Sequence, residues 1–124
     1  MFNDCISLKT PPVIPASVIS CASMFCGCAS LVTHPIIPEG VTECYRMFQG
    51  CTSLEIPPVI PHGAIDCMGM FIQCTSLEAS PIIPESVKNC GRMFYGCTSL
   101  KEPPHFPKNC DTYEALQGTS FERS

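Results

Sequence analysis

Eleven cysteines are the largest store of reactive side chains in this chain, and their spacing limits what they can do. Four pairs, Cys21/Cys28, Cys44/Cys51, Cys67/Cys74 and Cys90/Cys97, follow a C-x₆-C pattern, and Cys26-x-Cys28 is the one close pair. Zinc sites favour about two to four residues between ligating cysteines, and no histidine stands at ligand spacing from these. His34, His62 and His105 fall at three different places in a 23-residue repeat, so they do not form a ligand set. The only aspartates are Asp4, Asp66 and Asp111, and no Ser/His/Asp or Cys/His arrangement can be built. The expectation is therefore no catalytic residue, no metal and no cofactor. Reduced thiols packed as small hydrophobes are the favoured reading, with some disulfides, or a metal, as the alternatives. Free thiols would in turn imply a reducing compartment.

The elements that would position these residues are set by a repeat. Met-Phe recurs at Met1, Met24, Met47, Met70 and Met93, a spacing of 23 residues each time. A fixed period of this size is the mark of stacked repeats in which like residues form columns. The repeats run 1–23, 24–46, 47–69, 70–92 and 93–114, and a decayed copy at 115–124 reads as a C-terminal cap. The whole chain is expected to be one domain. Each repeat reads Met-Phe-x-Gly-Cys-x-Ser-Leu, then Pro-x-Ile-Pro, then Val, then Cys. In the fifth, Cys110 follows Pro107 by three residues instead of six.

Columns that never turn polar are expected to face inward: Phe25/48/71/94, Leu8/31/54/77/100, Ile14/37/60/83 with Phe106, Val18/41/87 with Ala64, and two files of cysteine. Met24, Met47, Met70 and Met93 should fill gaps beside them. All thirteen prolines lie in the Pro-x-Ile-Pro element. Proline cannot donate to a ladder, so each parallel strand there should be very short. The Met-Phe-x-Gly stretch is expected to form one turn of helix or 3₁₀ on the opposite wall. A 46-residue alternation lies over the first period, pairing Glu39 with Glu85 and Arg46 with Arg92.

Composition narrows the partners. The chain is 45% hydrophobic and 15% charged with a net charge of −4, and its basic residues do not cluster, so a nucleic-acid footprint is not expected. No run of apolar residues is long enough to span a membrane, and the first ten residues lack the basic start and apolar core of a signal peptide. A cytoplasmic location is the expectation. The alternative is the cell surface, if the chain is a piece of a longer protein, and Met1-Phe2 falling midway through a repeat hints at that.

The segment Ile83-Pro84-Glu85-Ser86-Val87, followed by Met93-Phe94-Tyr95-Gly96-Cys97-Thr98-Ser99-Leu100, resembles the BspA-type leucine-rich repeat. The resemblance covers nearly the whole chain in five copies. Methionine stands in place of the family's alanine before Phe, and Cys21, Cys44, Cys67 and Cys90 stand in place of its second isoleucine. The resemblance implies protein–protein recognition, many relatives being surface adhesins, and it implies no catalytic residues. The expected fold class is a leucine-rich-repeat solenoid of about five repeats, with a short-stranded parallel β-sheet and helical turns opposite.

Strand alternation sends Val13, Ile36, Val59, Ile82 and His105 outward if Ile14, Ile37, Ile60 and Ile83 point in. His34, Glu55 and Glu78 border this strip, with Lys9 and Lys101 at its rim. An apolar stripe with a polar rim suits a binding surface. The expected function is a module that recognises another protein through this strand face, as a small cytosolic inhibitor or host-interaction factor. One alternative is a fragment of a cell-surface adhesin, and a second is a thiol- or metal-dependent enzyme. A homodimer through Phe2, Leu8 and Ile14 of an uncapped first repeat is a further expectation.

Overall fold

A computed structural model of the protein describes residues 4–122. Phe2, expected at the open end, and Arg123 and Ser124, expected in the cap, lie outside them. The leucine-rich-repeat solenoid with a parallel sheet and helical turns is not what forms. Among the described residues there is no helix and no extended strand, and the chain is mostly turns and coil. Parallel pairing is confined to single bridges, Ser20 with Glu43, Glu43 with Asp66, Asp66 with Asn89, and Asn89 with Asp111.

The prolines explain the missing sheet. Among the described residues, no backbone hydrogen bond links one Pro-x-Ile-Pro segment to the next. Each such segment has too few free N–H groups to sustain a ladder. Pairing moves instead to the bridge residues, whose types fit a different task. The Oδ1 atoms of Asp66, Asn89 and Asp111 accept from the amides of Met68, Gly91 and Tyr113, each at 3.0 Å. These Asx turns bend the chain into the next stretch. Glu43 departs from that short polar type and makes no such turn.

The Met-Phe-x-Gly wall is a series of linked reverse turns at 22–27, 45–50, 68–73, 91–96 and 113–118, not a helix. Its amides alternate in direction. Those of Cys44, Arg46, Phe48 and Gly50 donate along the stack to the carbonyls of Asp66, Met68, Met70 and Ile72 at 2.8–2.9 Å. Those of Met47, Gln49 and Cys51 donate back within the repeat, to Cys44, Arg46 and Phe48. Two residues per repeat adopt positive φ, as Arg46 (φ 54) and Gly50 (φ 78) do here. Each is the third residue of a turn, the place where a type II turn requires that conformation. Two left-handed residues in so short a span break any right-handed helical run.

Equivalent side chains line up through the interior. Phe25, Phe48, Phe71 and Phe94 stack with ring centroids 5.8, 5.7 and 5.6 Å apart and nearly parallel planes. Phe106 closes the file at 6.2 Å and a tilt of 58°. Leu31, Leu54, Leu77, Met47, Met70 and Met93 are wholly buried beside it, as are most of the cysteines. Burial of each large apolar side chain is worth about 1.5–3 kcal/mol, so these files supply most of the cohesion. Turn 113–118 continues the stack, since Phe94 and Gly96 donate to the carbonyls of Ala115 and Gln117. Beyond it, Thr119 is buried and its hydroxyl donates to Leu116 at 2.7 Å.

Candidate protein-binding face

The Pro-x-Ile-Pro segments alternate although they are not strands. Ile14, Ile37, Ile60 and Ile83 are buried, whereas Val13, Ile36, Val59 and Ile82 are 94%, 86%, 80% and 91% exposed. Proline fixes φ on either side of these pairs, so each apolar side chain is held outward on a stiff base. Pro35, Pro58, Pro81 and Pro104 are themselves buried and anchor that base to the core. His105 extends the exposed file, and His34 is half-buried beside it with Nδ1 3.2 Å from the carbonyl oxygen of Pro35. Glu55 is exposed, and Glu78 pairs with Lys101 at 3.2 Å across the rim. Val13, Ile36, Val59, Ile82 and His105 are thus exposed at the same place in successive repeats, on proline-flanked pairs and not on strands. At its first two repeats the face deepens into a groove of about 470 Å³, lined by Pro12, Val13, Thr33, His34 and Ile36.

The thiols serve packing. Cys51, Cys74 and Cys97 donate Sγ–H to the carbonyls of Phe25, Phe48 and Phe71 in the preceding repeat, at 3.2, 3.1 and 3.0 Å. Burial pushes Cys51 and Cys97 up to about 12 and Cys21 up to about 11, and raises Cys28, Cys74, Cys90 and Cys110 as well. A hydrogen bond with Cys44, reinforced by burial, raises Cys67. At neutral pH such thiols stay protonated, and there they are weak nucleophiles and weak metal ligands. No disulfide joins any of the eleven cysteines. Among the described residues no group of three or more His, Cys, Asp or Glu side chains is placed to hold a metal ion. Among the described residues no helix is long and apolar enough to cross a membrane.

At the end expected to be open, Leu8 is half-buried and Ile14 is buried. Two features escape a reading of the sequence. One is a second groove, on the turn wall, lined by Arg46, Gln49, Ile72, Arg92 and Tyr95. Arg92 is drawn toward the C-terminal end, where it pairs with Glu114 at 2.8 Å and lies over the Tyr113 ring at 5.5 Å. The 46-residue alternation of arginines was the available signal. The other is the place of Cys110, whose amide donates to the carbonyl of Pro107. Comparison with known protein families, curated proteins and solved structures finds no match for this chain.

Proposed function

We propose that this protein is a binding module that recognises another protein through the exposed file Val13, Ile36, Val59 and Ile82. The observation that carries this reading is four β-branched side chains, each at least 80% exposed, aligned on a proline-stiffened face. Isolated exposed apolar residues are ordinary, but four that recur at one place in successive repeats are the kind of pattern that marks an interaction surface. Rigidity supports the reading too, because a pre-ordered surface loses little entropy on binding. The prolines leave this face few backbone donors, so the partner engages side chains and does not add a strand. His34, His105, Glu55 and the Glu78–Lys101 pair supply a polar rim. The resemblance of the repeat motif to BspA-type proteins also favours recognition over catalysis.

The test is a partner recovered from the native host, remade in recombinant form and titrated against wild type and Ile36→Glu/Ile82→Glu. Loss of affinity by at least about tenfold, roughly 1.4 kcal/mol, is expected with an unchanged circular dichroism spectrum. A folded double variant that binds as tightly as wild type rules the face out.

A further inference from the structure

Cys110 does not belong to the file its identity suggests. Its amide donates to the carbonyl of Pro107, as those of Val18, Val41, Ala64 and Val87 donate to Pro15, Pro38, Pro61 and Pro84. Cys110 therefore takes the place of the aliphatic residue, and the residue deleted from the fifth repeat lies between it and Asp111, which still bridges Asn89. This substitution brings the Cys110 thiol to within 2.7 Å of Cys90 Sγ, in the neighbouring file of the preceding repeat. That separation is about 0.7 Å beyond a covalent S–S bond. The two sulfurs differ in access, for Cys110 is half-buried and Cys90 is buried. An accessible thiol backed by a buried one is the arrangement of an attacking and a resolving cysteine.

We propose that Cys90 and Cys110 form a redox-modification site, a dithiol that small-molecule disulfides such as oxidised glutathione convert to an intramolecular disulfide. The Cys110 thiolate attacks one sulfur of the small disulfide and expels its other half as a thiolate. Cys90 Sγ, as it loses its proton, attacks Cys110 Sγ, and the second half leaves as a thiolate. The two protons given up by Cys110 and Cys90 end on the two departing thiolates. The protein dithiol is oxidised by two electrons, and one small disulfide is reduced to two thiols. The bond staples the last repeat to the one before it. Burial raises both thiols, so the exchange accelerates from neutral pH toward alkaline pH.

The experiment exposes folded wild-type protein to oxidised glutathione at about pH 8.5, near the ordinary thiol pKa, then quenches with acid, alkylates and maps the peptides by mass spectrometry. Two of the eleven thiols should disappear, joined as Cys90–Cys110. Cys110→Val restores the aliphatic residue of that file and should form no disulfide. Cys90→Ser should hold a glutathione adduct on Cys110 that does not resolve. The wild-type map decides the matter alone should Cys90→Ser fail to fold. No reaction, a bond between other cysteines, or an unresolved adduct in wild type overturns the proposal.

Discussion

The thiol of Cys74 donates to the carbonyl oxygen of Phe48, one repeat earlier, across 3.1 Å. The same oxygen accepts the amide of Cys51 at 3.0 Å. It thus joins a turn to the repeat stacked on it. Cysteine suits the position because it is small enough for a closed interior and still carries a weak donor. Cys74→Ala removes the thiol but leaves the carbonyl its amide partner, so the expected cost is modest, about 1–2 kcal/mol. Urea unfolding measures it. An alanine variant as stable as the parent would show that the contact contributes nothing.

Alkaline pH should unfold the protein through these thiols. Cys51 and Cys97, held near 12 by burial, ionise in the unfolded chain close to the ordinary value of 9.0. Their folded pKa values are raised, so their contribution is complete below about pH 9. It is lost as pH climbs from there toward 12, because the unfolded chain releases its protons first. The slope approaches about 1.4 kcal/mol per pH unit for each such thiol. Urea midpoints recorded from pH 7 to pH 10.5 should be level at first and fall beyond about pH 9. A flat profile throughout would contradict the burial of these groups.

Gly69 occupies a turn position with φ 60, whereas Arg46 and Arg92 hold φ 54 at the equivalent positions. A left-handed residue other than glycine costs roughly 1–2 kcal/mol. Arg46→Gly should accordingly raise thermal stability slightly. Arg92→Gly should not, because it also loses Glu114 and the Tyr113 ring. Gly69→Ala should destabilise by about 1–2 kcal/mol, since φ 60 strains any residue with a Cβ, whereas Ile72 Cδ1, 2.7 Å from the new Cβ, ends a flexible side chain that can move aside. Differential scanning calorimetry on the three variants gives the order, and a neutral Gly69→Ala would exclude the strained turn.

The interior files were legible because periodicity alone places Phe48 over Phe25 and Leu54 over Leu31. The outward file was legible for a similar reason, alternation between two prolines. The local structure was not. Short strands and a helical turn were expected, yet prolines emptied the first of donors and left-handed residues broke the second. A signal for the turn was present in Gly27, Gly50, Gly96 and Gly118, which recur at one place in the repeat and all hold positive φ, where glycine has the advantage. Three residues after Pro107 instead of six, Cys110 reads as the repeat's cysteine drawn closer. Three residues is the spacing of the valines, and the same proline carbonyl closes the turn there, so it stands with them.

The aromatic file should give a graded response to truncation. Phe71 stacks on both sides, with Phe48 at 5.7 Å and Phe94 at 5.6 Å, and is wholly buried. Phe106 touches one ring, tilted, and is only half-buried. Phe71→Ala opens a cavity in the middle of the stack and forfeits two ring contacts. The expected loss is about 3–5 kcal/mol, a large part of the roughly 5–15 kcal/mol that holds a typical domain. Phe106→Ala empties a place at the edge that solvent already reaches, and about 1–2 kcal/mol is expected. Thermal melts by circular dichroism should therefore rank wild type above Phe106→Ala and Phe106→Ala well above Phe71→Ala. Equal melting temperatures for the two variants would mean that the rings do not share one continuous file.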